Sequence, residues 1–196
     1  RRGRLMQAQP AGAMLSVRLP AGRLLARLPA SLALAAENAP DACVVSGDIA
    51  DVETLRIALT ADGIACRPLA ATRAFHSSMM DPVLAPFGAE VAGATLSPPS
   101  IPIVSTRTGA ALKDAEATSC DYWTRHLRES VHFSQAIATV LATPGSTLVE
   151  TGPRSTLAGL ARRQPAARGR TIVASLGDSV DRERGALLTA AGELWC

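Results

Sequence analysis

Aromatic side chains are nearly missing from this chain, with three Phe, two Trp and one Tyr among 196 residues. Its core must therefore be packed from Leu, Val and Ala. With 47% hydrophobic residues the chain still has enough apolar surface for one globular unit or two small ones. Cysteine is scarce as well. Cys43, Cys66, Cys120 and Cys196 show neither a C-x-x-C pair nor a histidine at ligand spacing, so no metal site is expected. Cys43 and Cys66 sit in apolar strand-like runs and read as buried thiols of a reduced, cytoplasmic setting. No apolar run approaches the ~20 residues needed to span a bilayer, and no signal-peptide pattern is visible. Charge of one sign is lacking too: 20 basic residues against 17 acidic leave +3. That balance, with no basic stripe studded by aromatics, argues against nucleic acid as a partner.

What is present is regular alternation. Ala13 to Arg18 is strand-like, and Gly22 to Leu28 reads as a short helix ended by Pro29. Leu32 to Ala36 and Ala42 to Ser46 have strand length and flank an Asn38-Ala39-Pro40-Asp41 turn. A helix follows from Asp48, with Ile49, Val52, Leu55 and Leu59 on one face, and ends at Asp62-Gly63. Ile64 to Leu69 is again a strand. The order is β-α-β-β-α-β, a ferredoxin-like unit over residues 12–70.

Beyond it, Asp81 to Ala92 reads as a helix that Pro86 should break or shorten. Ile101 to Ser105 is a predicted strand, Thr108-Gly109 a turn, and Asp121 to His126 and Phe133 to Leu141 are helices. Thr147 to Glu150 is a strand, Ser155 caps a helix running to Arg163, Thr171 to Leu176 is a strand, and Arg182 to Trp195 a helix. Such alternation predicts an α/β fold with a mostly parallel sheet covered on both faces. The densest charge, Arg162-Arg163 with Arg168 and Arg170, admits two readings: a solvated helix end, or a docking surface for an acidic protein partner.

Only three histidines occur. His76 stands between a strand and a helix, where a group titrating near neutrality is placed to act as a general base. His126 falls three residues after Trp123, which suggests packing on one helical face. Neither His126 nor His132 is assigned to catalysis.

The segment Arg73-Ala74-Phe75-His76 resembles the His-Ala-Phe-His motif of acyltransferase domains in modular type I polyketide synthases. Four further blocks resemble the same family in the same order. They are Arg2-Gly3-Arg4-Leu5-Met6-Gln7 with Pro10 to Met14, then Glu37 to Pro40 with Cys43 to Gly47. Asp121-Tyr122-Trp123 through His126-Leu127-Arg128 comes next, and Glu150-Thr151-Gly152-Pro153 with Leu157 to Leu160 is last. The resemblance covers the chain to about Ser175.

It implies an α/β-hydrolase-like large subdomain, incomplete here, over residues 1–11 and 71–196, with the ferredoxin-like subdomain at 12–70 inserted in it. It also implies transfer of a malonyl unit from coenzyme A to the phosphopantetheine thiol of an acyl carrier protein, through a serine ester. His76 is then the catalytic base, and Arg2 the guanidinium that binds the malonyl carboxylate. Phe75 is the ring that leaves little room for an α-methyl branch. Met6 either lines the acyl pocket or is an ordinary core methionine. Arg73 replaces the motif's first histidine. The family orients its histidine through a main-chain carbonyl, which rough alignment puts near Thr143. No cofactor is expected beyond malonyl-CoA as substrate and the partner's phosphopantetheine. A neighbouring ketosynthase domain is an expected partner.

No Gly-x-Ser-x-Gly occurs in these residues. The family's serine elbow lies upstream of the position matching Arg2, so the sequence reads as part of a longer chain. Alone, it is expected to be inactive and to fold poorly. Two rival readings stand beside this one: a free-standing malonyl transferase of fatty-acid synthesis, and a non-catalytic remnant or ferredoxin-like small-ligand module.

Overall fold

A computed structural model describes residues 1–195. Strands β1 (Ala13–Val17), β2 (Ala33–Ala39), β3 (Ala42–Gly47) and β4 (Cys66–Pro68) form one sheet in the order β2-β3-β1-β4, every pair antiparallel. Helices α2 (Ala21–Leu25) and α3 (Ile49–Ala61) supply the two crossovers. Period-two alternation divides the sheet's side chains. Leu15, Val17, Leu34, Cys43 and Val45 turn toward one face, where they pack with Leu24, Val52, Leu55 and Leu59. Met14, Ala35 and Val44 turn to the other, where they meet Val131 and Leu69. The sheet is thus covered on both faces, and every residue of β3 is buried.

Asp48 caps α3, its carboxylate accepting from the Ala50 amide at 2.8 Å. Gly63, with φ of +74°, turns the chain out of the helix. Ile49, read from the pattern as part of the buried stripe, is 53% exposed, because the first helical residue projects past the sheet. Strand β2 runs further than its apolar pattern suggested. Two register shifts carry it through Asn38, leaving Pro40 and Asp41 as the reversal.

In the remainder, α4 (Asp81–Ala92) is continuous across Pro86. A proline inside a helix costs about 3 kcal/mol, and here packing holds the helix. Val83 is fully buried, and Gly88 lets α6 (Cys120–His126) approach closely enough for the Cys120 thiol to donate to the Gly88 carbonyl at 3.2 Å. Ile101 to Ser105 does not form the predicted strand. It makes one bridge, Val104 to Ala111, around a turn at Gly109, and Ile101 is 75% exposed. No neighbouring strand lies beside it among the described residues.

The parallel sheet found here has two strands, β5 (Leu148–Glu150) and β6 (Ile172–Ala174). Between them runs α8 (Thr156–Ala161), with α7 (Phe133–Leu141) packed against it, while α9 (Val180–Trp195) follows β6. Glu150, not Ser155, caps α8: its carboxylate accepts from the Leu157 and Ala158 amides at 3.1 and 2.8 Å. The remaining helices are α1 (Arg2–Gln7) and α5 (Asp114–Ala117).

Three arginines of the dense basic run are used internally. Arg162 donates to the Ile172 carbonyl, Arg163 pairs with Asp41, and Arg170 reaches the Leu141 carbonyl at 3.3 Å. Of the four, Arg168 has no side-chain partner among the described residues.

Candidate active site

Two chain segments far apart in sequence meet at His76. The first descends from β4 into a turn over Ala74 to Ser77. Gly12 makes this descent possible: a Cβ there would lie 2.7 Å from the Ala74 Cβ and 2.8 Å from its nitrogen. The buried Ser77 hydroxyl donates to the Ala74 carbonyl at 2.7 Å and accepts from the Met79 amide, closing the turn and starting a short 3-10 segment over Ser78–Met80. Within the turn His76 adopts φ of +60°. That left-handed conformation costs on the order of 1 kcal/mol in a non-glycine residue.

The second segment follows α6. Ser130 donates through its hydroxyl to the Leu34 carbonyl, the Val131 amide donates to the Ala35 carbonyl at 2.9 Å, and the Glu37 amide donates to the Val131 carbonyl at 2.8 Å. These bonds lay residues 130–131 along β2 and present the Glu129 main-chain oxygen 2.8 Å from the His76 Nδ1. A carbonyl only accepts, so Nδ1 carries the proton and Nε2 keeps its lone pair. Thr143, the position alignment suggested, instead closes the end of α7, its amide donating to the Val140 carbonyl. A main-chain acceptor leaves no mark in side-chain identity, and a gapped alignment misplaced it. The recognised block of Asp121 to Arg128 stops one residue short of Glu129.

Electrostatics favour the neutral imidazole. Burial depresses the His76 pKa below its ordinary 6.5, the Glu129 carbonyl opposes this, and His126 and Arg2 add to the depression. His126 is depressed as well, by burial and then by Arg2 and Arg107, with Glu129 opposing.

Of the other three sequence-predicted residues, Phe75 and Met6 share one apolar cluster and Arg2 acts on His76 through its charge. Phe75 and Met6 pack on the cluster of Met80, Val83 and Leu127, together with Leu5 and Phe87. The Arg2 guanidinium stands 5.9 Å from the centroid of the Phe87 ring. Arg1 and Arg2 diverge, as successive helical positions must: Arg1 pairs with Glu90 at 2.6 Å, whereas Arg2 forms no ion pair among the described residues. His126 places its ring 6.3 Å from that of Trp123, with its Nδ1 buried and unpartnered. His132 bonds Glu37 at 3.1 Å. Among the described residues no group of three or more His, Cys, Asp or Glu could hold a metal, and no helix is long and apolar enough to cross a membrane. A surface cavity of about 710 Å3 lies elsewhere, lined in part by Arg154, Gly177 and Arg182.

A neutral histidine held by a main-chain carbonyl, with an arginine that forms no ion pair among the described residues and an apolar wall, makes a candidate general-base site, and comparison supplies its class. The chain belongs to the acyl transferase domain family, which matches residues 1–187. It is 38% identical over 199 aligned residues to a phenolphthiocerol/phthiocerol polyketide synthase of Mycobacterium tuberculosis, covering 99% of this chain and 13% of that protein. It is 40% identical to the polyketide synthase GfsB of Streptomyces halstedii, again over 99% of this chain but 4% of the relative.

Among solved structures, it superposes on the acyl transferase domain of SpnD, in complex with 2-(pent-4-yn-1-yl)malonyl, with a TM-score of 0.93 and 36% identity. That match covers 99% of this chain and 48% of the other. The acyltransferase domain from the second module of the salinomycin polyketide synthase gives 0.90 and 33%, over 99% and 46%. The chain therefore spans about half of these solved domains and a small share of the synthases.

Proposed function

We propose that this chain forms part of the acyltransferase domain of a modular polyketide synthase. It serves transfer of a malonyl unit from coenzyme A to the phosphopantetheine thiol of an acyl carrier protein, through a serine ester whose serine lies outside these residues. The observation that carries the reading is the 2.8 Å contact between His76 Nδ1 and the Glu129 carbonyl, which leaves Nε2 as the only free lone pair on the ring. The SpnD domain's malonyl-type ligand and the polyketide-synthase relatives support the substrate class.

In the first half-reaction Nε2 of His76 accepts the serine proton as the oxygen attacks the thioester carbonyl. The C–S bond then breaks, and the same proton passes to the departing coenzyme A thiolate. The second half-reaction reverses these roles, with the carrier's thiol as nucleophile. Arg2 binds the malonyl carboxylate through two parallel charge-assisted hydrogen bonds, a geometry lysine does not reproduce. Phe75 and Met6 wall the acyl group. Residues 12–70 make up an inserted ferredoxin-like subdomain, and residues 1–11 with 71–196 belong to an α/β-hydrolase-like body. The order β2-β3-β1-β4 and the parallel β5-β6 pair support that division. A ketosynthase domain elsewhere in the same protein completes the expected partners. The free-standing transferase reading is less favoured, since the relatives at 38–40% identity are named as polyketide synthases.

The test uses the full-length protein with radiolabelled malonyl-CoA. His76→Gln is expected to slow formation of the malonyl ester by roughly 10²–10⁴-fold, the usual worth of a general base. Labelling at an unchanged rate would remove His76 from the mechanism.

A further inference from the structure

The Glu129 carbonyl that holds His76 is itself held from the side-chain end. The Glu129 carboxylate accepts from Arg107 Nε at 2.5 Å and, more loosely, from Nη2 at 3.4 Å. Arg107 is 20% exposed, and its guanidinium lies 5.3 Å from the centroid of the Tyr122 ring. The Tyr122 hydroxyl shares a 2.5 Å hydrogen bond with Ser105, whose oxygen also accepts from the Arg107 amide at 3.1 Å. A chain of contacts thus runs from the buried Tyr122–Ser105 pair through Arg107 and Glu129 to the base. Arg125, the other cation near Glu129, is more exposed, sits 3.6 Å away and is engaged with Asp121.

We propose that Arg107 is a positioning residue for the acyl-transfer reaction. By gripping the Glu129 carboxylate against Tyr122 it fixes the peptide whose oxygen orients His76. The proposal rests on His76 being the base. The backbone on either side of this carbonyl is held by the Glu129 amide, which donates to the Arg125 carbonyl at 2.9 Å, and by the β2 pairing of residues 130–131, and the side-chain anchor adds a third restraint at the same residue. A fork-shaped cation suits this task because it holds the carboxylate while stacking on an aromatic face.

The test reads the imidazole directly, without any transfer assay. In the full-length protein, carbethoxylation of His76 by diethyl pyrocarbonate is followed by peptide mass across pH, for wild type, Arg107→Met, Arg107→Lys and Glu129→Gln. The charged groups facing the ring are Arg2 and His126, with the Glu129 carboxylate and Arg107 behind the carbonyl; Arg2 is kept throughout, and His126, which Arg107 depresses and Glu129 opposes, is followed in the same peptide maps. A carbonyl acceptor favours the protonated ring, so its loss moves the inflection for His76 down. A shift of about half a unit or more is expected in Arg107→Met, a smaller one in Glu129→Gln, and partial recovery in Arg107→Lys. No shift, or a rise, in a folded Arg107→Met protein would overturn the assignment. Should that variant fail to fold, Glu129→Gln decides, since it keeps the side chain's shape and weakens its charge-assisted hold on Arg107 along with the longer contact to Arg125. In the malonylation assay, Arg107→Met should slow ester formation about tenfold and cost nothing further in a His76→Gln background. Equal losses in both backgrounds would mean a purely structural role. If His76→Gln itself has no effect, the acyl-transfer reading fails, while the carbethoxylation result still stands.

Discussion

Arg73 donates from Nε and Nη2 to the main-chain oxygen of Gln7, at 3.0 and 2.8 Å, and so ties the segment carrying His76 to the last turn of the helix carrying Arg2. Cations at a helix C-terminus satisfy carbonyls that have no partner within the helix. The residue that departs from the family motif therefore links the two halves of the site.

Removing that link should loosen α1 and displace Arg2 while leaving the base in place. Arg73→Ala is expected to raise KM for malonyl-CoA about five- to tenfold, the worth of roughly 1 kcal/mol of hydrogen bonding, with kcat changed much less. Steady-state kinetics on the full-length protein would show this, and a loss confined to kcat would contradict it.

Phe75 packs beside Met6 in the apolar cluster next to His76. Phe75→Ser opens space there, so the ratio of methylmalonyl to malonyl transfer should rise by about tenfold or more. Competition between the two coenzyme A esters, read by the mass of the acylated protein, measures it. An unchanged ratio would place the selecting surface elsewhere.

Stability should fall with acid in a window set by two histidines. The pKa values of His76 and His126 are both depressed below 6.5 in the folded state, chiefly by burial. Above pH 6.5 neither state binds these protons. Below it the unfolded chain binds them first, so stability decreases as pH falls from 6.5 toward the folded-state values. Urea midpoints between pH 7 and 5 should follow that slope, and His76→Gln should flatten it. A slope of opposite sign would mean that His76 is charged in the fold.

Gly12 admits no side chain. A Cβ would meet the Ala74 Cβ and nitrogen, and the Gly47 oxygen at 3.1 Å, and two of those three are backbone atoms. Gly12→Ala should destabilise the protein by about 1–3 kcal/mol and slow ester formation, because the turn bearing His76 must move. Thermal unfolding checks the first effect, and an unchanged Tm would contradict it.

Much of this architecture was legible in the residues. The periodicity of Val52, Leu55 and Leu59 marked α3, the Asp48 cap marked its start, and the spacing of short apolar runs around Pro40 and Gly63 marked the strands of the antiparallel sheet. The ordered family blocks pointed to Arg2, Met6, Phe75 and His76; Met6 and Phe75 fall in one apolar cluster, and Arg2 lies close enough to His76 to depress its pKa. Local sequence determines such features because capping, alternation and helical spacing act over a few residues.

Other features were settled only by the tertiary structure. Ile101 to Ser105 has strand composition, yet no ladder forms, because a strand needs a neighbour and composition does not supply one. Pro86 argued for a broken helix, and packing against α6 kept it whole. The acceptor for His76 is a main-chain oxygen 53 positions away. Every residue carries that oxygen, so nothing in the identity of Glu129 announces its role. Only the laying of residues 130–131 along β2 selects it, and that pairing exists once the chain has folded.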